Sequence, residues 1–357
     1  MTIPLPVRVQ AAAVRAAFAL PRPLRRLIAG APVRRDGQEL ALDAQLLLRL
    51  MRAAGTRLVV GDQVETSRTL LELGRHIVSG PVIEPVTARE IVVPAEHGEL
   101  PATLYTPEGL TAPSGLLVFL HGGGWVLGSR VSHDNTARFL ARQAGVRVLS
   151  VEYRLAPEHV FPAAVDDALA AFDHVHAHAA ELGADPERIA VGGDSAGGNL
   201  AAVTAQLATA RGGPAPAFQL LLYPATDASR HRRSRELFAD RFFLTSEQMD
   251  WFADHYAPAG VDRADPRISP LLADDLAGLP PAYIATAGFD PLRDEGEAYA
   301  EALTEAGVKV VLSRRPDLIH GYANFLGIGD LFREATAEAA DALRAALSDS
   351  DTALSRD

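Results

Sequence analysis

The sequence predicts an α/β fold with a mostly parallel eight-stranded sheet flanked by helices. Three observations carry this. Short, almost wholly apolar runs recur from about residue 88 onward, helical patterns separate most of them, and glycine-rich turns end two of them. Strands buried on both faces read as continuous apolar runs, and their alternation with helices marks a parallel sheet covered on both sides.

Taken in order, Glu90–Pro94 and Ala102–Tyr105 read as two strands around a turn at His97–Gly98. The other six are Gly115–Leu120, Val146–Val151, Ile189–Val191, Phe218–Leu222, Ala282–Ala287 and Val308–Leu312. Helices are expected over 133–144, 162–180, 195–210, 292–306 and 330–347. The alternation fails once, over about 60 residues between the strands ending at Leu222 and starting at Ala282. This stretch holds Arg230–Arg235, the aromatics Phe242, Phe243, Trp251, Phe252 and Tyr256, and then several prolines. A plain loop of that length does not suit a compact domain, so a helical insertion at about 225–260 is expected. Residues 1 to about 85 read as mostly helical, with no clear alternating strand. Leu40–Met51 and Ser67–Ile77 have apolar residues at helical spacing, and Pro21, Pro23 and Pro32 interrupt the start. The expected division is an N-terminal helical segment over 1–85 and an α/β domain over 86–357. The segment and the insertion together would form a lid. Residues 349–357 are polar and expected to fray.

Hydrophobic residues make up 48% and charged residues 22%, which suits a folded soluble chain and not a disordered one. A net charge of −11 argues against a nucleic-acid partner. There are no cysteines, which excludes disulfides, a cysteine nucleophile and thiolate metal sites and fits a cytoplasmic setting. Residues 9–20 are apolar but contain Arg15, and Pro21, Pro23, Arg25 and Arg26 follow where a cleavage site would stand. A secretory signal is therefore not expected. No stretch has the roughly 18 uncharged apolar residues of a membrane span, so no integral membrane segment is expected.

Residues 189–199 read Ile-Ala-Val-Gly-Gly-Asp-Ser-Ala-Gly-Gly-Asn. A strand meets a helix at Gly193-Asp194-Ser195-Ala196-Gly197. A nucleophile at the tip of such a sharp turn projects its oxygen away from the sheet. The chain doubles back so tightly that the positions two before and two after Ser195 must be nearly free of side chain, and glycine fits both. The motif alone occurs by chance in roughly one chain of this length in ten. The strand before it and the helix after it favour Ser195 as a nucleophile over a simple glycine-rich turn.

Upstream, the run 115–120 enters His121-Gly122-Gly123-Gly124-Trp125. A tetrahedral intermediate carries a negative oxygen that needs preorganised N–H donors. Glycines let the backbone approach it, and the expected donors are the N–H groups of Gly123, Gly124 and Ala196. A phosphate loop is excluded because Ser129 and Arg130 stand where Lys and Ser/Thr would be needed.

On a nucleophile elbow of this kind the chain order is Ser, then Asp or Glu, then His. Only His231, His255 and His320 follow Ser195. His320 lies in a short loop after the last strand, before Gly321, where a base belongs. Asp290 follows the preceding strand, just before Pro291, and is the expected acid. It also stands where a helix cap would. Asp294 and Glu295 fall inside the helix's first turn. His174 and His178 have i, i+4 spacing but no third ligand, so no metal is expected.

The combination of His121–Trp125, Tyr153-Arg154-Leu155-Ala156-Pro157-Glu158, Gly193–Gly197, Asp290-Pro291-Leu292-Arg293-Asp294-Glu295-Gly296 and His320-Gly321 resembles the bacterial hormone-sensitive-lipase-like esterases. The resemblance covers about 95–345. It implies an α/β-hydrolase fold with a helical cap made by the N-terminal segment and the 225–260 insertion. It implies a carboxylesterase acting on small-molecule esters of short to medium acyl chains, without cofactor, in a family where homodimers are common. It places Trp125 and Tyr322 at the substrate pocket, with Tyr322 standing where many relatives have Phe. Arg154 and Glu158 are expected in structural ion pairs. The alternatives are an amidase or deacetylase using the same residues, and a non-catalytic small-molecule-binding protein on the same fold. The arginines of residues 8–26 beside apolar residues also admit contact with a lipid surface, with packing into the cap as the competing reading.

Overall fold

Residues 4–348 are described by the computed structural model; the 349–357 end expected to fray lies outside the described residues. Four helices precede the sheet: α1 (Leu5–Ala19), α2 (Arg22–Ala29), α3 (Leu42–Ala53) and α4 (Val64–Val78). Between α2 and α3 lies a small hairpin of β1 (Arg34–Arg35) and β2 (Gln38–Glu39), in a segment whose pattern shows no clear strand. Two-residue strands are too short to show alternation. Their signal is the turn itself, Asp36-Gly37, with both residues at positive φ (55° and 74°), as a type I′ hairpin turn requires.

The sheet follows in the order expected. β3 (Val86–Ala95), β4 (Gly98–Pro107) and β5 (Ser114–Leu120) lead to α5 (Asp134–Ala144), β6 (Arg147–Val151) and α6 (Ala163–Ala177). Then come β7 (Ala184–Asp194), α7 (Ala196–Ala210) and β8 (Phe218–Leu222). The stretch before β9 (Ala282–Phe289) contains α8 (Arg233–Leu237) and α9 (Ser246–Tyr256). Thr245 and Gln248 form a capping box at the start of α9. The chain ends with α10 (Arg293–Glu305), β10 (Val310–Ile319) and α11 (Asp330–Leu347). The strand order is β10-β9-β8-β7-β5-β6-β4-β3. β3–β4 and β4–β6 pair antiparallel, and the other pairs are parallel.

β5 shows why the central strands read as unbroken apolar runs. Leu116, Val118 and Leu120 pack with Phe172 of α6 and Leu200 and Val203 of α7. Leu117 and Phe119 pack with Leu140 of α5 and with Phe332 and Leu343 of α11. Every β5 residue is buried, because each face meets a helical layer. By contrast, α1 buries only Ala11 and α4 only Ser67. These helices lie over a cavity and not over a packed core.

Two neighbouring strands carry the consequence. From β5 the chain crosses to β6 on one side, and β7 and β8 lie on the other. Leu120 of β5 is in register with Gly193 of β7. The carboxyl ends of β5 and β7 thus open at a topological switch point, where ligands bind in such sheets.

The Tyr153–Glu158 segment braces this end. Arg154 holds Asp167 through several hydrogen bonds, the shortest 2.7 Å, and Glu158 pairs with Arg68 of α4 at 2.7 Å. Asp167 is only 1% exposed, so Arg154→Ala leaves a buried carboxylate unpaired. The expected cost is about 3 kcal/mol, read as a shift in the urea unfolding midpoint.

Candidate active site

The turn from β7 into α7 places Ser195 at φ 57°, ψ −118°, a conformation that is strained for a residue with a side chain. Packing enforces it. The Ser195 N–H donates to Leu222 O at 2.8 Å, and the Ser195 carbonyl accepts from Asn199 N at 3.0 Å. A Cβ at Gly193 would lie 2.3 Å from Leu120 O, and one at Gly197 would lie 1.9 Å from it. Glycine is obligatory at both positions, as the spacing implied.

His320 follows β10 and Asp290 follows β9. His320 Nε2 lies 2.9 Å from Ser195 Oγ, and His320 Nδ1 lies 2.7 Å from Asp290 Oδ2. Asp290 is fully buried. Its Oδ1 accepts from Leu292 N at 2.9 Å, so one carboxylate both orients the imidazole and steadies the turn into α10. The two readings of Asp290 are therefore compatible. Pro291 precedes α10, which begins at Arg293, one residue inside the expected 292–306. His231 is exposed at the cavity's edge, and His255 Nδ1 sits 2.8 Å from Trp251 O. Neither contacts Ser195. His174 and His178 stack on each other in the last turn of α6.

Gly123, Gly124 and Ala196 line the same cavity as Ser195 and His320. Among the described residues, no backbone carbonyl takes their N–H groups. A Cβ on Gly123 would sit 2.1 Å from Leu127 O, and one on Gly124 would sit 2.2 Å from the Phe252 ring. Trp125, at φ 60°, stacks on Tyr256 at 4.5 Å and lines the cavity. Tyr322 does not belong to that lining. It is fully buried and packs edge-on against Tyr223, 5.1 Å away. Residue 322 begins a short 3-10 turn that directs its ring into the core beneath His320.

Several site residues were not singled out from the sequence. Asp194, the variable position of the Ser195 motif, is buried. Its Oδ1 accepts from Gly122 N at 2.9 Å, and its Oδ2 accepts from Asn324 Nδ2 at 3.0 Å. His133 Nε2 lies 3.3 Å from Asp194 Oδ1. One carboxylate thus ties the glycine loop, the Ser195 turn and the loop after His320 together. Burial alone would push Asp194 up, but the charge and hydrogen bond of His133, with Asn324 and Gly122, hold it below the ordinary range. His133 is raised in return: burial opposes its charge, and Asp194 outweighs burial. His121 goes the other way, down to about 3, through burial and the neighbouring His133. Its ring stacks on Tyr153 at 4.3 Å, whose hydroxyl donates to His121 O at 2.7 Å. Tyr223 sets its ring against His320, 4.9 Å away. The sequence signal for Asp194 was an acid inside a turn too tight to leave it in solvent. His133, Asn324 and Tyr223 had none.

The cavity holds about 710 Å³, within the range of ligand pockets. Its walls come from α1 (Val14), α3 (Leu47, Met51), α4 (Leu71, Ile77) and α9 (Phe252). Ser195 and His320 lie on the same surface. A nucleophile, a base that can take its proton, an acid behind the base and unpaired N–H groups beside them can carry acyl transfer.

Residues 117–324 match the family described as alpha/beta hydrolase fold. The carboxylic ester hydrolase LipN of Mycobacterium tuberculosis is 48% identical over 337 residues, covering 92% of this chain and 89% of that one. The ethyl acetate hydrolase of Pseudomonas putida is 40% identical over 277 residues, 76% of this chain and 86% of that one. The structure of an ester-hydrolase from the Lake Arreo metagenome, complexed with a derivative of bipyridine phosphonate, superposes with a TM-score of 0.81. It is 42% identical and covers 86% of this chain and 98% of that one.

Asp194→Asn can keep an oxygen toward Gly122 and His133, but it removes the charge that His133 faces and sets its NH2 against the donor Asn324 Nδ2. It is expected to lower kcat about 100-fold through displacement of the glycine loop, with little change in KM, in steady-state kinetics. Glu295, buried in α10, accepts from Thr226 N at 2.8 Å, yet burial first and then Asp227 and Asp290 push it up to about 8 from its ordinary 4.5. A carboxyl raised in the folded chain stabilises below its unfolded value and loses that contribution as pH rises through the folded value. Between pH 5 and 8, Tm should therefore fall more in the native protein than in Glu295→Gln.

Proposed function

The chain belongs to the α/β-hydrolase family, among the hormone-sensitive-lipase-like esterases, and from that premise we propose that it hydrolyses short- to medium-chain carboxylic esters through Ser195, His320 and Asp290 by way of an acyl-enzyme. The observation that carries this is the hydrogen-bonded series Ser195 Oγ–His320 Nε2–Asp290 at 2.9 and 2.7 Å, facing an apolar cavity. Asp290 accepts from Nδ1–H, which leaves Nε2 as the lone-pair nitrogen toward Ser195. Ser195 Oγ attacks the ester carbonyl carbon as its proton passes to His320 Nε2. The carbonyl oxygen, now negative, rests on the N–H groups of Gly123, Gly124 and Ala196. His320 gives the proton to the leaving alkoxide, and the acyl group stays on Ser195. Water then loses a proton to His320, attacks the acyl-enzyme, and Ser195 leaves with that proton restored.

The mycobacterial and pseudomonad relatives support ester chemistry by their names. The phosphonate held by the Lake Arreo neighbour has a tetrahedral centre, the shape of an ester's addition intermediate. Residues 1–85 and the 225–260 insertion act together as the cap, since α1, α3, α4 and α9 all wall the cavity. No helix among the described residues is long and apolar enough to cross a membrane. The absence of cysteine favours a cytoplasmic setting.

The test is hydrolysis of p-nitrophenyl esters from acetate to palmitate, native protein beside Ser195→Ala. Turnover should peak at short to medium chains and fall about 10⁶-fold in kcat in the variant. Folded protein with no turnover on any ester, but with turnover on an anilide, would replace the esterase reading with the amidase one.

A further inference from the structure

The charge of this chain is divided unevenly. Residues 1–61 carry ten arginines, at positions 8, 15, 22, 25, 26, 34, 35, 49, 52 and 57, and only three acids. The rest of the chain carries 42 acids against 24 cations. The three N-terminal acids are already engaged: Asp36 with Arg233 and Arg293, Glu39 with Arg34, and Asp43 with Arg25. Among the described residues, Arg8, Arg15 and Arg22 pair with no carboxylate, and all three are exposed.

The same two helices expose large apolar side chains. On α1, Leu5 is 70% exposed and Val9 61%; on α2, Leu24 is 47%, Leu27 78% and Ile28 37% exposed. None of the five lines the cavity, so they face outward. Leu5, Val9, Ala12 and Ala16 fall on one side of α1 at helical spacing, with Arg8 and Arg15 along its flank. The opposite side of α1, with Gln10 and Val14, walls the cavity above Ser195. Leu24, Leu27 and Ile28 form the matching stripe on α2. An outward apolar stripe edged by unpaired arginines, on a protein that is otherwise acidic, is the pattern of helices lying in a membrane interface. A second copy of this chain is a poorer occupant, because two such faces would bring like charges together.

We propose that α1 and α2 dock the protein on an anionic lipid surface, so that α1 presents its apolar side to the bilayer and its inner side to the cavity. The esters drawn into that cavity would be ones dissolved in, or built into, the membrane. The docking stands on the surface alone. The nature of the substrate rests on the esterase reading above.

Sedimentation of the full chain with vesicles tests this without any substrate. Vesicles of phosphatidylcholine mixed with phosphatidylglycerol should bind at least about tenfold more protein than phosphatidylcholine alone. Salt at about 1 M should abolish the difference. Leu27→Ser, and a triple variant Arg8→Glu, Arg15→Glu, Arg22→Glu, should each lower binding about tenfold while p-nitrophenyl acetate turnover stays unchanged. Native protein that leaves both vesicle types unbound, or variants that bind as the native protein does, would overturn the proposal. So would a dimer in analytical ultracentrifugation that Leu27→Ser dissociates while vesicle binding is unaffected, since the stripe would then belong to a second copy.

Discussion

The close approach of β5 and β7 at their carboxyl ends is the constraint on which the rest of the site depends. Leu120 O lies where a Cβ of either Gly193 or Gly197 would fall, 2.3 and 1.9 Å away. That proximity forces the turn at Ser195 into a positive φ and lifts its side chain off the sheet. It also sets the glycine loop after β5 beside Ser195, because Leu120 and Gly193 are register partners. Strain at Ser195 persists because the two flanking strands and the start of α7 over-determine it.

A buried carboxylate then fastens what the strands bring near. Asp194 could not remain ionised inside the protein alone. Three groups from two connections, Gly122 N and His133 between β5 and α5 and Asn324 after β10, stabilise its charge. Each needs Asp194 in turn, so the glycine loop, the elbow and the loop that carries His320 are held in one mutual arrangement. Tyr153 backs the glycine loop from behind through His121, and Tyr223 backs His320. Preorganised donors stabilise developing charge because they need not move when it forms.

The N-terminal helices obey a different logic. α3 buries Leu42, Ala44, Gln45, Leu46 and Leu47, but α1 and α4 each bury a single residue. α4 is tied to the body by the ion pair of Arg68 with Glu158. The charge on these helices is opposite in sign to that of the body beneath them.

Much of this is legible in the chain itself. The eight strands and the helices between them could be read because burial on both faces leaves continuous apolar runs, as in β5. Ser195, Asp290 and His320 could be named because the elbow has a steric signature and the chain order leaves few histidines. The β1–β2 hairpin went unread because two-residue strands carry no periodicity. Tyr322 read as a pocket residue because sequence places it beside His320 but says nothing of which way its ring turns. What the sequence by itself determined is everything set by local sterics and periodicity: the strand–helix alternation, the glycine turns and the loops in which Ser195, Asp290 and His320 stand. Only the tertiary structure decided that Asp194 would bind Gly122, His133 and Asn324, that Glu295 would be buried, and that α1 would face the cavity on one side and solvent on the other. Those are contacts between segments up to 130 residues apart, and distance along a chain carries no information about proximity across a fold until the sheet has closed.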